Sequence, residues 1–301
     1  MEVFLIGHLV VDILVVRGGI RRNLGGTVTY GAMAALRHRA RPHIVSKIGM
    51  DFPDEYLLFL SRSGVDTTYV SVSKDLPTTK FKLVYEDSER ALYLLSRCED
   101  ILTSDVPLEK IRGSVAIIGA LIGEVAPSVV QEISDRAALV VSDLQGYVRR
   151  AGPDRKVYLT PSREAPLIIS LSNIVHAEIS EAKALFGEAP PERLAKKIVE
   201  TGAAIALVTL GAEGGYVATS EKLYFVPPAE ADRVVDRTGA GDVFTTVFAI
   251  EYQRSGDIKE AASYATAAVS YLIEKPGIDG LRNRWELAQR AEKVLENIRE
   301  I

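Results

Sequence analysis

The sequence predicts an α/β fold in which a central, mostly parallel sheet lies between two layers of helices, with a small second β-sheet acting as a lid. Two observations lead to this class. Short apolar runs alternate with longer segments of helical spacing, which is typical of parallel strands joined by crossover helices. Two further stretches have the pattern of β-hairpins. The length of 301 residues allows one large α/β domain or two ordinary ones.

The short apolar runs are bounded by Gly, Asp or Pro, as buried strands usually are. They are Val3–Ile6, Pro42–Val45, Val115–Ile118, Ala138–Ser142, Ile174–His176 and Ala204–Thr209. The clearest helical segments are Val28–Leu36, Pro53–Ser63, Ser180–Phe186, Pro191–Glu200, Asp242–Gln253 and Asp257–Ile273. Because strands and helices alternate, we expect the strands to run parallel and the helices to cover both faces of the sheet.

The two hairpin-like stretches interrupt this alternation. Residues 12–23 read as strand, Arg17-Gly18-Gly19 turn and strand, and residues 79–96 read as two strands around the polar turn Glu86–Glu89. We interpret them as a small β-layer that forms a lid. The alternative is that they are ordinary edge strands of the central sheet.

Composition excludes several classes of protein. Lys and Arg total 36 and Asp and Glu total 40, so the formal net charge of -4 does not favour nucleic-acid binding. No apolar run approaches the length of a membrane span, and the apolar N-terminus reads as a first buried strand, so we expect a cytoplasmic protein. The single cysteine, Cys98, excludes an internal disulfide. Asn, Gln, Cys and Met are scarce, which favours a thermophilic source.

The strongest local signal is the segment 236–242, which reads Asp-Arg-Thr-Gly-Ala-Gly-Asp and is followed by a helical segment. The first amides of a helix lack internal partners and carry the positive end of its dipole, so a glycine turn that opens a helix suits phosphate oxygens. A carboxylate at this point, Asp242, can accept a proton from an incoming hydroxyl. The alternative is a tight turn in which Asp242 is only an N-cap.

This segment resembles the C-terminal signature of the ribokinase-like sugar kinases, the phosphofructokinase-B family. Other segments are similar to the family in the same order along the chain, from residue 3 to about residue 280. They are Gly7 and Asp12 after the first strand, the pair Gly25-Gly26, the stretches Ile48–Pro53 and Ser63–Thr67, and Val208–Gly215. The resemblance implies one ribokinase-like domain over residues 1–301, with a three-layer fold and a small β-sheet lid.

The resemblance also implies the activity, which is transfer of the γ-phosphate of ATP to a substrate hydroxyl. Asp242 would be the general base, and the amides of Gly239, Ala240 and Gly241 would form an anion hole. Thr209, Gly211, Gly214, Thr238 and Gly241 would lie along the nucleotide. Mg²⁺ would be held mostly by phosphates and waters. A monovalent cation such as K⁺ near Asp236, and a monomer or homodimer, are further expectations.

The same resemblance places substrate beside the lid. The predicted substrate-binding residues in the N-terminal part of the chain are His8, Asp12, Gly25, Gly26 and Thr29. Where many sugar kinases have a substrate-facing Asn, this chain has Tyr30, which makes the predicted pocket more aromatic and argues against a plain ribokinase.

The family usually has Asn-x-x-Glu near its metal, whereas this chain has Glu178 and Glu181 at those positions. Two carboxylates three residues apart can face one way, and Mg²⁺ prefers oxygen ligands, so we predict that both lie at the metal site. The alternative is that Ser180 caps a helix whose first turn carries acids.

The acceptor is predicted from a polar stretch after the fourth predicted strand. Asp143, Gln145 and Arg149 would lie beyond the carboxyl ends of the strands, where ligands of such sheets bind. This stretch is similar to archaeal and plant myo-inositol kinases, so myo-inositol is the predicted substrate. A nucleoside, another sugar, or a catalytically weak sensor of a small ligand are the alternatives. A dehydrogenase and a Walker-type ATPase are disfavoured, because neither glycine-rich motif occurs.

Overall fold

The computed structural model describes residues 1–16, 19–86 and 89–301. Its strands are β1 (Glu2–Ile6), β2 (Val10–Val16), β3 (Gly19–Gly25), β4 (Arg41–Gly49), β5 (Asp66–Ser73), β6 (Lys80–Glu86), β7 (Glu89–Ser96), β8 (Val115–Ile118), β9 (Leu139–Asp143), β10 (Arg149–Ala151), β11 (Val157–Leu159), β12 (Ile174–Glu178), β13 (Ile205–Thr209), β14 (Gly215–Ala218), β15 (Leu223–Val226) and β16 (Arg299–Glu300).

The α-helices of the described residues are α1 (Thr27–Arg37), α2 (Asp54–Ser63), α3 (Pro127–Ser134), α4 (Gln145–Val148), α5 (Ala165–Ser170), α6 (Ile179–Phe186), α7 (Pro191–Thr201), α8 (Ala240–Ser255), α9 (Ile258–Leu272) and α10 (Ala288–Asn297).

The large sheet has the strand order β16-β15-β14-β13-β12-β9-β8-β1-β4-β5. The strands from β13 to β5 pair in parallel, and β14, β15 and β16 add an antiparallel edge. Successive side chains of a strand point to opposite faces of the sheet. In β1, Val3 and Leu5 therefore belong to the hydrophobic core on one face, and Phe4 and Ile6 belong to the core on the other.

Helices cover both faces of this sheet, as the alternation of elements predicts. One core contains buried side chains of α1, α2, α8, α9 and α10, including Val28, Phe248 and Val294. The other contains side chains of α3, α5, α6 and α7, including Ile168 and Leu194. The predicted three-layer α/β class is confirmed.

The small sheet has the strand order β3-β2-β6-β7. In it, β2 pairs antiparallel with β3 and parallel with β6, so both predicted hairpins lie in a sheet separate from the large one. The turn residues Arg17-Gly18 and Asp87-Ser88 lie outside the described residues. A third apolar cluster joins this sheet to the rest of the molecule, with Val10 and Phe81 on the small sheet and Leu121 and Ile122 on the loop that follows β8.

The observed strands differ from the predicted ones where the apolar pattern of the sequence is weak or discontinuous. Strand β4 continues to Gly49, four residues past its predicted end, because residues 46–49 stay buried and pair with β5. The half-exposed β5 and the antiparallel edge β14–β16 lack a continuous apolar run, and the sequence did not predict them. None of the helices in the part of the chain that the structure describes is long and apolar enough to cross a membrane.

Candidate active site

A cavity of about 660 Å³ lies at the carboxyl ends of β9, β12 and β13, between the large sheet and the small one. Ligands of open α/β sheets bind at this edge. The first residues of α1 and α8 line the cavity, and β2, β6 and β7 of the small sheet close one end of it. We call that end the acceptor end, and we call the opposite end, between β13–β15 and α9, the donor end.

The N-terminus of α8 lies at the centre of the cavity wall. Gly239 caps the helix with a left-handed backbone (φ 77°), and the helix begins at Ala240. A Cβ at position 239 would overlap the Tyr30 ring, so both the backbone angle and the close packing require glycine. The structure corrects the predicted start of this helix. Asp242 is its third residue, and the N-cap interpretation of Asp242 is wrong.

Asp242 is partly buried and lines the cavity. Burial raises the pKa of its carboxyl to about 6, and the neighbouring Asp143 carboxylate adds to the rise. A hydrogen bond with Thr27 and the charges of Arg149 and His176 oppose it. A carboxylate with a pKa just below neutral is ionised at pH 7 and still takes up a proton readily, which suits a general base.

A chain of hydrogen bonds orders the residues beside Asp242. Asp143, at the end of β9, accepts a hydrogen bond from the Gln145 amide (2.9 Å), and its other oxygen lies 2.8 Å from His176 Nδ1. His176 Nε2 in turn lies 3.1 Å from Thr209 Oγ1. Burial lowers the pKa of His176, but the carboxylates of Asp143, Glu181 and Asp242 together outweigh burial, and the net direction of the pKa shift is upward. His176 therefore tends to be cationic beside the carboxylates.

The sequence analysis missed two site residues, Thr27, which is hydrogen bonded to Asp242, and His176. His176 lies inside the predicted strand, where an isolated histidine gives no functional signal. Its partner Asp143 is its neighbour across the sheet, because β9 and β12 pair in parallel with these two residues in register. The pairing becomes visible only once the strand order is known.

The predicted metal pair Glu178 and Glu181 forms a capping box at the start of α6. The Glu178 side chain accepts hydrogen bonds from the Ser180 amide and hydroxyl, and Glu181 accepts one from the Glu178 amide (3.0 Å). Glu178, and not Ser180, is thus the N-cap. Burial raises the pKa of Glu181 to about 7, with a further rise from Asp143 and an opposing effect of Arg149, 3.5 Å away.

The carboxylates fit a divalent cation only in part. Asp143, Glu181 and Asp242 line one cavity, and the charge of Asp143 raises the pKa of the other two. A cation would relieve this repulsion. Yet within residues 1–16, 19–86 and 89–301 no cluster of three or more His, Cys, Asp or Glu side chains is arranged to hold an ion by itself.

The acceptor end combines a carboxylate with an apolar wall. Asp12 on β2 lines it together with Gly26, Thr27 and Gln145, and Gln145 Nε2 donates a hydrogen bond to Thr27 Oγ1 (2.8 Å). The apolar wall consists of Val10, Tyr30, Phe81, Leu92 and Leu121.

The predicted substrate residues are not all at the cavity. The structure brings Asp12, Gly26, Asp143, Gln145 and Arg149 to its wall. Among the described residues, His8, Gly25 and Thr29 do not line it. His8 is fully buried with its ring nitrogens hydrogen bonded, Thr29 donates to the Gly25 carbonyl (2.7 Å), and Gly25 lies behind Asp12. These three residues support the wall instead of facing a ligand.

Replacing Gly25 by Ala should weaken acceptor binding. A Cβ at this position would lie 2.7 Å from Asp12 Cγ and closer still to its carboxylate oxygen, so the Asp12 side chain must move. We expect the KM for the acceptor to rise about tenfold, because a small displacement of a positioning group costs that much or more. Steady-state kinetics should show an unchanged KM for the donor. An unchanged KM for the acceptor would contradict this role of Asp12.

The donor end is lined by the predicted turn and by apolar side chains. Thr209, Gly211 and Gly214 lie on its wall, and its apolar residues are Val208, Val217, Val226, Ala229, Val269 and Ile273. Gly214 has a positive φ (93°), and its Cα lies against the Val226 carbonyl. Asp236 accepts hydrogen bonds from the amides of Thr238 (2.9 Å) and Gly277 (3.0 Å). The Thr238 hydroxyl oxygen is buried without a hydrogen-bond partner.

Comparison with known proteins shows the family of the chain. Residues 17–282 match the family described as pfkB family carbohydrate kinase. A 2-dehydro-3-deoxygluconokinase of Bacillus subtilis is 26% identical over 283 residues, which covers 89% of this chain and 86% of that protein. An inositol 3-kinase of Arabidopsis thaliana is 25% identical over 286 residues, which covers 92% of this chain and 75% of that protein.

Solved structures share the fold over almost the whole chain. One is a pyrophosphate-dependent myo-inositol-1 kinase converted by mutation into a myo-inositol-3 kinase, with a TM-score of 0.82, 24% identity and coverage of 97% of this chain and 98% of that one. Another is a ribokinase of Arabidopsis thaliana complexed with ribose and ATP, with a TM-score of 0.78, 19% identity and coverage of 97% and 98%. At these identities the likeness concerns the fold.

Proposed function

The chain belongs to the pfkB family of carbohydrate kinases, and on that premise we propose that it transfers the γ-phosphate of ATP to a hydroxyl of a small uncharged polyol, with myo-inositol as the leading candidate. The observation that carries the proposal is the position of Asp242. It is a partly buried carboxylate with a raised pKa, in the first turn of α8, on the wall of a cavity with two chemically different ends.

The proposed reaction moves one proton and one phosphoryl group. The acceptor hydroxyl gives its proton to the Asp242 carboxylate as its oxygen forms a bond to the γ-phosphorus. The bond between that phosphorus and the bridging oxygen to the β-phosphate breaks, and ADP leaves. Phosphoryl transfer depends mainly on positioning and on stabilising charge. The amides of Gly239, Ala240 and Gly241, at the positive end of the α8 dipole, supply that stabilisation.

Mg²⁺, when bound with the donor, neutralises phosphate charge. The residues that would face its waters are Glu181 and Asp143, with Glu178 at the rim of the cavity. Their repulsion of one another is the reason to expect a cation here, and Arg149 offsets part of it. The unpartnered Thr238 hydroxyl is the reason to keep a monovalent cation such as K⁺ in the assay.

A nucleotide is the better candidate for the donor than pyrophosphate, the donor in one structural neighbour. The donor end extends beyond the α8 N-terminus into an apolar slot lined by Val208, Val217, Val226 and Ile273. Such a slot stabilises the flat apolar face of a nucleobase. Pyrophosphate has no group that would fill it.

The charge of the site favours an uncharged acceptor. In the described part of the chain, the positively charged side chains that line the cavity are Arg149, Arg237 and His176, and His176 is already paired with Asp143. Arg149 pairs with Glu181, and the charged residue from the small sheet at the acceptor end is Asp12. A sugar acid such as 2-dehydro-3-deoxygluconate would bring its carboxylate towards Asp12 and Asp143, which costs free energy. Uncharged hydroxyls can instead donate hydrogen bonds to these carboxylates.

A nucleoside acceptor is the second candidate. The acceptor end has an apolar wall of Val10, Phe81, Leu92 and Leu121, which a polyol with hydroxyls on every carbon does not require. It would suit the face of a base, while Asp12 accepts hydrogen bonds from ribose hydroxyls. A sensor without turnover is the third candidate, and the raised pKa of Asp242 counts against it, because binding alone does not need a base.

An acceptor panel tests the proposal. The purified protein should be assayed for ADP release with Mg-ATP, in the presence of K⁺ and at elevated temperature, against myo-inositol, ribose, fructose, fructose phosphates, 2-dehydro-3-deoxygluconate, adenosine and cytidine. We expect one uncharged acceptor to raise turnover well above the ATP-only rate. A preference for the sugar acid or the sugar phosphates would overturn the argument from charge. ATP binding without turnover on any acceptor would favour the sensor.

The pH dependence of the reaction rate should follow the ionisation of the Asp242 carboxylate. Only the ionised carboxylate accepts a proton, and its pKa in the folded protein is raised to about 6. We therefore expect kcat/KM to be constant near pH 8 and to fall by about tenfold per pH unit below the pKa. The rate should be measured from pH 5 to pH 8.5 with an acceptor that does not titrate in that range. A profile that stays flat down to pH 5 would exclude Asp242 as the base.

A further inference from the structure

The chain passes between the large and the small sheet at four points. They are residues 7–9 before β2, residues 25–26 at the end of β3, residues 78–79 before β6 and residues 97–99 after β7. All four points meet at one buried residue, His8, which is 0% exposed: two of them contact its ring and one contacts its backbone carbonyl. We propose that His8 and Thr79 form a junction that fixes the small sheet over the acceptor end, which makes them positioning residues for the reaction proposed above.

The His8 ring connects two of the other crossing points. Its Nδ1 lies 2.8 Å from Thr79 Oγ1, just before β6, and its Nε2 lies 2.8 Å from the Glu99 carbonyl, just after β7. The Cys98 amide donates to the same Thr79 oxygen (2.9 Å). Thr79 is also tied to β2, because the Val11 amide donates to the Thr79 carbonyl (3.2 Å).

These contacts determine which ring nitrogen of His8 carries the hydrogen. A carbonyl accepts only, so His8 Nε2 carries the hydrogen that is donated to Glu99. His8 Nδ1 is then an acceptor, and Thr79 Oγ1 donates its hydrogen to it while accepting from the Cys98 amide. Burial lowers the pKa of His8, which keeps the ring neutral, although the Glu124 carboxylate opposes this. Each polar atom of the pair has a partner, so losing one hydroxyl leaves two buried groups unsatisfied.

The backbone of His8 connects the junction to the cavity. The His8 amide donates to Glu124 Oε1 (3.2 Å), and Glu124 also accepts from the amides of Leu121 (2.9 Å) and Ile122 (2.8 Å). Leu121 is part of the apolar wall of the acceptor end and packs in one cluster with Val10 and Phe81 of the small sheet. The junction thereby holds the wall that faces the acceptor.

The fourth crossing point lies against the His8 carbonyl. A Cβ at Gly26 would be 2.5 Å from that oxygen, so the N-cap residue of α1 packs directly on the His8 backbone. The next residue, Thr27, is hydrogen bonded to Asp242 and to Gln145. His8 therefore contacts both the crossing points that hold the small sheet and the residue before Thr27, which is hydrogen bonded to the proposed base.

Thr79→Val tests the junction, with Thr79→Ser as the matched control. Valine has the shape of threonine but no hydroxyl, whereas serine keeps the hydroxyl. The first readout is hydrogen exchange of the β2, β6 and β7 amides in the full chain without ligand. We expect Thr79→Val to speed their exchange by about tenfold while the β8 and β9 amides stay unchanged, since a buried hydrogen bond is lost only at the junction. Thr79→Ser should match the wild type.

The second readout is kinetic, with Mg-ATP and the acceptor that the panel identifies. Thr79→Val should raise the KM for the acceptor, leave the KM for ATP unchanged, and increase the ADP released per acceptor phosphorylated, because water enters when the small sheet is displaced. A general loss of stability would not move these values selectively. Thr79→Ser should have the wild-type KM for the acceptor, the wild-type KM for ATP and the wild-type amount of ADP released per acceptor phosphorylated.

The proposed role of the junction would be wrong if a folded Thr79→Val protein had the exchange rates and the KM values of the wild type. If Thr79→Val does not fold, His8→Gln takes its place, because its amide can reproduce only one of the two ring hydrogen bonds. If no acceptor is phosphorylated, the proposed function fails, and the exchange measurement still decides for or against the junction. Fast exchange at β2, β6 and β7 in Thr79→Val would then support it.

Discussion

Asp242→Asn is expected to lower kcat by about 10²- to 10⁴-fold while ATP binding is kept. Asparagine has nearly the size of aspartate but cannot accept a proton at neutral pH. The amides at the start of α8 do not depend on this side chain, so the donor still has its binding site. Turnover should be measured with saturating acceptor, and ATP affinity by calorimetry.

Asp54→Asn provides the matched control for this substitution. Asp54 is also an aspartate in the first turn of a helix, α2, but it is exposed and does not line the cavity. Its replacement should leave kcat within about twofold of wild type. If Asp242→Asn and the wild type had equal turnover, Asp242 would not be the general base, whatever the acceptor is.

Gly239→Ala is expected to have the second-largest effect, a loss of about 10²- to 10³-fold in kcat/KM. The methyl group would overlap the Tyr30 ring, and the positive φ of residue 239 disfavours any side chain. The turn must therefore move, and the amides of Ala240 and Gly241 move with it. The KM for ATP should rise and kcat should fall, because the same amides bind the phosphate and stabilise its charge during transfer.

Gly256→Ala is the control that separates the cost of a left-handed backbone from the displacement of the amides at the cavity. Gly256 caps the other end of α8 with φ 70°, and no atom lies within 4 Å of the place where its Cβ would be. Both substitutions thus carry the cost of a left-handed backbone, and only the one at residue 239 disturbs the cavity. We expect Gly256→Ala to lower the Tm and to leave the kinetic constants unchanged. Equal kinetic losses in both variants would attribute the effect to the stability of α8.

The large sheet and the turn at residues 236–242 could be predicted from sequence because their signals are local. A buried parallel strand such as β8 is a continuous apolar run, and a glycine turn before a helix is visible in a few residues. Asp12, Gly26 and Asp143, which were predicted to bind substrate, lie on the cavity wall, and Gly26 and Asp143 do so because they lie at a helix start and a strand end. Family resemblance contributed the order of these segments.

The remaining features depend on contacts between distant segments. His176 acquires its chemistry from Asp143, which lies on the neighbouring strand, and neither residue reveals the pair by itself. His8 follows the first strand, where a ligand contact was predicted, but the segments around Thr79 and Cys98 close over it. The proximity of Glu181 to Arg149 likewise becomes visible only when α6 is placed beside α4.

The central claim is that this cavity transfers phosphate from a nucleotide to an uncharged hydroxyl compound. The most direct test is ³¹P NMR of the wild-type protein with Mg-ATP and myo-inositol, followed by the other uncharged acceptors, and with pyrophosphate in place of ATP. The account predicts one phosphate monoester that accumulates in equal amount with ADP, and none from pyrophosphate. Inorganic phosphate as the sole product, or an ester formed only with pyrophosphate or only on a sugar acid, would contradict it.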